Sequence, residues 1–265
     1  KPRSYIGFAA IFAIVVLIQI ALFADGQAYL DFLIQSLNQS FQIEGMGFNG
    51  NMVGFIILQT LIIQMPLLVA LVSGDAISGE IQGGTIRSLL TKPVSRSRIV
   101  WAKFIAAELY TFLLILWLGI LAWLGSLLFF GNGDLVVLKS DSLVIVRAAD
   151  TVWRFLAAFG VAFLSLSVVV ALSFLLSAFS ENSIAPIIIT MSIILLFTII
   201  GTFDIPIFNA VKPFLFTTHM IIWRNFFDRP LPLAQIAASV GVLIVHITAF
   251  LSVTLIYFNR KDITQ

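Results

Sequence analysis

A polar stretch between two long apolar segments holds the residues best suited to chemistry in this sequence. Residues 77–104 read ISGEIQGGTIRSLLTKPVSRSRIVWAKF and contain one acid, Glu80, and the bases Arg87, Lys92, Arg96, Arg98 and Lys103. A carboxylate among bases forms charge-assisted hydrogen bonds within its own chain or with a partner. Gly79, Gly83 and Gly84 let the backbone turn or approach a partner closely. The stretch therefore predicts a contact element held by electrostatic pairing.

Nucleotide binding by a phosphate loop is excluded. The sequence contains no G-x-x-x-x-G-K-[ST] motif, and the Gly83-Gly84-Thr85 triplet lacks the lysine that such a loop requires. The absence of cysteine excludes disulfide bonds and thiolate metal sites. We therefore expect no catalytic residue, no cofactor and no metal in this chain, and we predict that it is not an enzyme.

Serine or histidine chemistry inside the membrane is also disfavoured. The Ser73-Gly74 and Ser78-Gly79 pairs fall at an aqueous boundary, and no G-x-S-G motif surrounds either of them. An intramembrane serine protease would need an activated nucleophile with its base inside the bilayer. His246 is the only histidine within a predicted span, and we interpret its ring as a hydrogen-bonding group in helix packing.

The composition places the chain in a lipid bilayer. Hydrophobic residues make up 60% of the sequence, charged residues 11%, and the mean hydropathy is +1.08, whereas soluble domains carry about 25% charged residues. The net charge of +2 is too small to suggest a nucleic-acid partner. We predict a single transmembrane domain that covers residues 1–265.

Six apolar segments are long enough to cross the membrane, since a helical span needs about 20 mostly apolar residues. The predicted spans are 5–24, 53–73, 104–130, 152–179, 184–201 and 234–258. The fold class is therefore an all-α integral membrane protein with six transmembrane helices.

The distribution of charge orients these spans. The loop 25–52 contains the acids Asp25, Asp31 and Glu44 and no base, whereas Lys and Arg are enriched in cytoplasmic loops. Residues 74–103 then form a cytoplasmic loop, and the segments 25–52, 131–151 and 202–233 are external. We expect a multi-pass protein of the bacterial plasma (inner) membrane with both termini in the cytoplasm.

Two of the external segments have helical character. Apolar residues recur at helical spacing in AYLDFLIQSLNQSF, residues 28–41, which predicts an amphipathic helix along the outer surface. Residues 203–232 are apolar but are interrupted by Pro206, Pro213, Pro230 and Pro232. This pattern predicts short helices that dip into the outer leaflet as a re-entrant segment.

The cytoplasmic loop is predicted to contain a short helix at residues 86–90. Thr85 is a suitable N-cap for a helix that begins at Ile86. Pro93 would end it, because the residue before a proline avoids the α-helical region. Such a helix, between a flexible entry and a rigid exit, is suited to a groove on a soluble partner.

Few polar groups lie within the predicted spans. Glu108, about one turn into the third predicted span, is interpreted as a boundary residue that pairs with a basic neighbour. The remaining candidates for a transport pathway or for helix packing are Gln59, Gln64, Ser173, Ser177 and His246.

The loop pattern resembles that of the permease subunits of ATP-binding-cassette transporters of the type 2 permease superfamily. Their shared pattern is a Glu followed by Gly-Thr, leucines, Pro-Val, an Arg, an aliphatic residue and a Lys. Here it consists of Glu80, Gly84, Thr85, Leu89, Leu90, Pro93, Val94, Arg96, Ile99 and Lys103. The stretches LSFLLSAFSENSIAPIII and YFNRKD resemble the hairpin between spans four and five and the ending of these permeases, so the resemblance covers nearly the whole chain.

The resemblance implies the membrane subunit of an ATP-driven transporter, an exporter. A second permease copy, in a homodimer or alternatively a heterodimer, and two cytoplasmic ATPase subunits that carry ATP and Mg would complete it. The residues implied in coupling to the ATPase are Glu80, Gly84, Thr85, Ile86, Arg87, Leu89, Leu90, Pro93, Arg96 and Lys103. The alternative is a secondary or uncoupled membrane carrier without an ATPase partner.

Overall fold

The computed structural model describes residues 2–35, 48–85, 94–138 and 143–260, and these ranges are mostly helical. The helices are α1 (Pro2–Gln35), α2 (Gly50–Leu61), α3 (Met65–Ser73), α4 (Ser78–Gln82), α5 (Arg96–Gly119), α6 (Gly125–Phe130), α7 (Ala148–Phe179), α8 (Ala185–Thr202), α9 (Pro206–Val211), α10 (Phe216–Met220) and α11 (Leu233–Arg260). A π-helical turn at Ile120–Leu124 joins α5 to α6, and 3₁₀ turns lie at Lys212–Phe214 and Ile221–Phe227.

A β-hairpin that the sequence analysis did not predict follows α6. Strands β1 (Leu135–Leu138) and β2 (Leu143–Val146) pair in antiparallel fashion, with Leu135 opposite Val146. The hairpin lies between α6 and α7 in the segment predicted as an external connection.

Five helices are long and apolar enough to cross a membrane, which confirms a helical membrane protein. They are Ser4–Gly26, Arg96–Phe130, Ala148–Phe179, Ala185–Thr202 and Leu233–Arg260. The helix through α5 and α6 begins at Arg96, before the start of the predicted span at residue 104. Its first turns contain the bases Arg96, Arg98 and Lys103. In the most apolar part of α7, 61% of the residues are buried, against 17–33% in the other four helices. The fold is therefore built around α7.

The second predicted span is broken into α2 and α3, whose axes differ by 52°. Pro66 lies in the first turn of α3 and has no backbone N–H, so the carbonyl of Ile62 cannot receive the usual helical hydrogen bond from it. The side chains of Ile63 and Gln64 are exposed at this break. Counting the bent pair as one crossing brings the number of spans to six.

Helix α1 is also interrupted. Asp25 has non-helical angles (φ −146°, ψ 44°) and separates the membrane-length part of α1 from a second part that continues to Gln35. The amphipathic helix predicted at 28–41 is therefore helical as far as Gln35, and its residues 36–41 lie outside the described residues.

Helix α2 packs closely against the π-helical turn and α6. A Cβ atom added to Gly50 would lie 2.5 Å from the Cα of Leu127, and one added to Gly54 would lie 3.1 Å from the carbonyl oxygen of Ala122. Small residues of this spacing let membrane helices approach at backbone distance. The Trp123 Nε1–H donates to Asn51 at 2.9 Å, which adds a polar link to this contact.

The connections between helices gather at two opposite ends of the bundle. At the hairpin end, around β1 and β2, Asn49 donates to the carbonyl of Asp134 and the Asp134 carboxylate accepts from the backbone of Ala148, both at 2.8 Å. At the α4 end, around α4, the backbone N–H of Ser183 donates to Gln82 at 3.0 Å. Ser97 and Asn259 also bond there, so α5 begins where α11 ends.

Residues 203–232 form short helical pieces at the hairpin end. Helices α9 and α10 and the two 3₁₀ turns lie here, in agreement with the short helices predicted from the prolines. Phe214 and Ile207 are 73% and 70% exposed. Apolar side chains exposed at the end of membrane-length helices favour contact with lipid.

The two ends are expected to lie on opposite sides of the membrane. Because the chain has no cysteine, an exposed Asn132→Cys at the hairpin end and an exposed Asn182→Cys at the α4 end can be labelled singly. From the charge distribution, Asn132→Cys should react with an impermeant maleimide in intact cells, and Asn182→Cys only after permeabilisation. Labelling of both positions in intact cells would contradict this arrangement.

Candidate functional site at the α4 end

Helix α4 is capped by a side chain from another helix. The buried Ser177 hydroxyl of α7 accepts hydrogen bonds from the backbone N–H groups of Ile77 (3.1 Å) and Ser78 (2.9 Å). The first N–H groups of a helix have no partner within it. Ser177 thus provides the cap that α4 lacks in its own sequence, and it fixes the start of α4 to the central helix.

A second serine contact joins α3 to α7. The Ser73 and Ser173 hydroxyls hydrogen-bond to each other, and both residues are fully buried. Ser78 also donates to the carbonyl of Gly74 at 2.8 Å. Ser173 and Ser177 were both predicted as helix-packing or pathway residues, and the structure places them in one seam between α7 and the α3–α4 segment.

An ion pair ties α4 to α5. The Lys103 ammonium pairs with the Glu80 carboxylate and donates to the carbonyl of Ala76 at 2.9 Å. The two side chains are only 16% and 21% exposed. The attraction between them is therefore less screened than in a surface pair. Of the bases near Glu80 in the sequence, Lys103 is the one that the described structure pairs with it.

Asp75 is a residue of this site that the sequence analysis did not identify. Its side chain is buried, and a Cβ atom added to Gly79 would lie 2.2 Å from the Asp75 carboxylate. A larger residue at position 79 would therefore require the Asp75 side chain to shift away from α4. The sequence signal that could have found it was the single acid between the apolar second span and Gly79.

The chain leaves α4 through a glycine turn. Gly84 has φ +69°, a conformation that favours glycine, and the Thr85 hydroxyl lies 3.4 Å from the carbonyl of Glu80. The predicted coupling helix lies outside the described residues, so it stays a prediction. The predicted coupling residues outside the described ranges are Ile86, Arg87, Leu89, Leu90 and Pro93. The chain is described again from Val94, and Arg96 begins α5.

The other predicted polar residues lie elsewhere in the bundle. Gln59 is half-buried near the end of α2, and Gln64 is exposed at the break before α3. The His246 Nδ1–H donates to the carbonyl of Val242 at 2.9 Å, and its ring packs edge-on against Phe216 at 5.8 Å between centroids. These contacts agree with a packing role for His246.

Glu108 does not have the basic partner that was predicted for it. Because α5 begins at Arg96, Glu108 lies about three turns into the helix, where its carboxylate accepts a hydrogen bond from Ser167 of α7 at 2.7 Å. No base pairs with it within the described ranges. Glu108 is therefore a polar link between α5 and α7 rather than a boundary ion pair.

The fold defines a polytopic helical membrane protein, and its described residues contain no group of three or more His, Cys, Asp or Glu side chains that could hold a metal ion. The chain belongs to the family described as "Protein of unknown function (DUF2705)", which matches residues 10–264. It is 25% identical over 260 residues to the "Uncharacterized membrane protein YdbK" of Bacillus subtilis (strain 168), covering 94% of this chain and 96% of the relative.

Ser177→Ala is expected to destabilise the protein by about 1–3 kcal/mol. The substitution leaves the buried N–H groups of Ile77 and Ser78 without an acceptor, and an unsatisfied buried donor costs about that much. Thermal unfolding of the detergent-solubilised protein measures the effect. Ser165→Ala is the matched control, since Ser165 is a buried serine of α7 whose hydroxyl bonds only the carbonyl of Val161 in its own helix. Equal unfolding temperatures for the two variants would contradict the cap.

Proposed function

We propose that this protein is the membrane-spanning permease subunit of an ATP-driven transporter, an exporter, coupled at its α4 end to a separate ATPase. The observation that carries the proposal is the attachment of α4 to three other elements. Each of three residues of α4 bonds to a different element. Ser78 bonds to Ser177 of α7, Glu80 to Lys103 of α5, and Gln82 to Ser183 before α8. The segment that resembles the coupling motif of type 2 permeases begins within α4, at Glu80.

In this proposal the bent pair α2–α3 is one crossing, and the chain has six spans. Both termini and the α4 end then face the cytoplasm, and the hairpin end faces outward, in the plasma (inner) membrane. The pairing of Gln82 with Ser183 and of Ser97 with Asn259 supports a common side for these connections. The uneven distribution of Lys and Arg supports the cytoplasm as that side.

The break between α2 and α3 supplies a joint for force transmission. Gly50 and Gly54 dock α2 on α6 and the π-helical turn, whereas Ser73 docks α3 on α7. A push on α4 would therefore move α3 and α7 together, relative to α2. A nucleotide that favours one position of this segment shifts the permease between two states.

The working transporter would contain two permease copies and two ATPase subunits, with ATP and Mg on the ATPases. The exposed apolar faces of α1, α8 and α11 leave room for a second copy and for lipid. A homodimer is the simplest arrangement, and a heterodimer with a related chain is the alternative. The second candidate function is a carrier without an ATPase, which the half-buried Glu108 favours because ion-coupled carriers place ionisable groups within their spans.

Glu80→Gln is expected to leave membrane insertion and dimer formation intact but to reduce ATP-driven transport at least about tenfold. The substitution leaves the Lys103 charge without its counter-charge. The expected loss of free energy lies between the roughly 1 kcal/mol of exposed pairs and the roughly 3–5 kcal/mol of buried ones. The measurement is cargo transport and ATP hydrolysis by the permease co-purified with its ATPase in proteoliposomes.

Two variants serve as controls for this experiment. Glu181→Gln removes an exposed acid at the same end of the bundle and should behave as the wild type. The charge swap Glu80→Lys with Lys103→Glu should restore part of the coupling. Wild-type transport by Glu80→Gln would refute the role of the pair, and transport without ATP or an ATPase would favour the carrier.

A further inference from the structure

Arg224 is a half-buried cation that has no counter-charge among the described residues. It lies in the 3₁₀ turn Ile221–Phe227, where its Nε is buried and has no hydrogen-bond partner among the described residues. Its guanidinium lies 5.7 Å above the ring of Trp223. Burial lowers the pKa of Arg224, and no acid offsets the loss of water. Because buried charges are normally paired, this side chain calls for an anion from outside the chain.

The other buried or half-buried cations described at the hairpin end have partners. The Arg154 Nε is also without a hydrogen-bond partner among the described residues, but its Nη1 donates to the carbonyls of Phe226 and Asp228, the latter at 3.0 Å. The Lys212 ammonium lies 3.9 Å from the Asp204 carboxylate. The more exposed Arg229 pairs with Asp150 at 2.9 Å. Asp150 and Arg154 lie in the first two turns of α7, and tryptophans such as Trp223 are enriched where membrane helices meet the polar interface.

An apolar cavity of about 160 Å³ lies next to the same turn. It is bounded by the α2–α3 break and by α7, α8, α10 and the turn itself. Its lining includes Ile63 and Pro66 at the break, Ala162 of α7, and Ile221 and Trp223 of the turn. Ile63 and Ile221 are 66% and 54% exposed, so the cavity opens towards the lipid-facing surface. Its volume is close to that of an engineered apolar cavity of about 150 Å³ that binds benzene.

The cation lies beside the cavity, because Trp223 lines the cavity and the Arg224 guanidinium lies 5.7 Å above the Trp223 ring. Residues three apart in a 3₁₀ helix are eclipsed, so Arg224 shares a face with Ile221, which lines the cavity. The cavity then extends from the level of the charged groups towards the α2–α3 break, which lies deeper in the bundle.

We propose that this face binds a phospholipid, with the phosphate on Arg224 and the first part of one acyl chain in the cavity. Arginine recognises phosphate through paired charge-assisted hydrogen bonds, and an acyl chain gains free energy by filling apolar space. A free anion would leave the cavity empty, and a hydrocarbon would leave Arg224 unpaired. The proposal concerns the permease chain alone and does not rest on its coupling to an ATPase.

Native mass spectrometry of the detergent-solubilised protein tests the proposal by titration with dioleoylphosphatidylglycerol. Arg224→Gln should weaken lipid binding at least about tenfold, since a hydrogen bond to a charged group contributes about that factor. Arg229→Gln, which removes a cation already paired with Asp150, should bind as the wild type does. Ala162→Leu adds volume within the cavity and should also weaken binding.

Two further ligands test whether the site recognises the whole phospholipid or only its acyl chains or its phosphate. Dioleoylglycerol, which lacks the phosphate, should bind at least about tenfold more weakly than the phospholipid, and inorganic phosphate should not displace the phospholipid. Equal binding by the wild type and Arg224→Gln would overturn the proposal, provided that both proteins unfold at the same temperature without added lipid. Displacement by inorganic phosphate would overturn it as well, because the site would then recognise an anion and not a lipid.

Discussion

Backbone polar groups inside a bilayer have to find partners within the protein, and this constraint accounts for most of the irregular features of the fold. Water is not available in the hydrocarbon layer, and each unsatisfied group costs several kcal/mol. The chain interrupts its helices at the α2–α3 break, at the π-helical turn and at the start of α4. At two of these places a side chain from a distant helix supplies the missing partner. Ser177 caps α4, and the Gln19 amide donates to the carbonyl of Leu121 in the π-helical turn at 2.9 Å.

These polar contacts join the interruptions to the bundle and define its moving parts. The contact of α2 with α6 uses glycines and has no room for an inserted side chain, so these helices move as one unit. The contact of α3 with α7 uses the paired hydroxyls of Ser73 and Ser173, and in the proposed transporter these two helices would move together. In the proposed transporter, the ion pair between Glu80 and Lys103 would keep α4 attached to α5 while the ATPase pushes on α4.

The parts of the fold that depend on local composition could be predicted from the sequence. Long apolar runs fixed the positions of the membrane helices, and the prolines at 206, 213, 230 and 232 indicated short helices in the segment 203–232. The β-hairpin was missed although two short β-branched runs, at 135–138 and 143–146, are a typical strand signal. Pro66 was likewise visible as a cause of the break between α2 and α3.

The features that depend on tertiary contacts could not be predicted. Nothing near Ile77 in the sequence indicates that Ser177, one hundred residues away, caps α4. Several bases near Glu80 in the sequence are candidate partners, and only the packing of α4 on α5 selects Lys103. The hydrogen-bond partner of Glu108 is likewise a tertiary feature, because Ser167 of α7 lies 59 residues further along the chain.

The most direct test of the central claim is photocrosslinking from each end of the bundle in intact membranes. A photoreactive residue at Thr85, which is exposed next to α4, should crosslink to a cytoplasmic ATPase that carries a phosphate-binding loop. The same residue at Asn132, which is exposed at the hairpin end, should give no such product. An ATPase adduct from Thr85 alone is the result that the account predicts. Absence of an adduct from Thr85, or an ATPase adduct from Asn132, would contradict it.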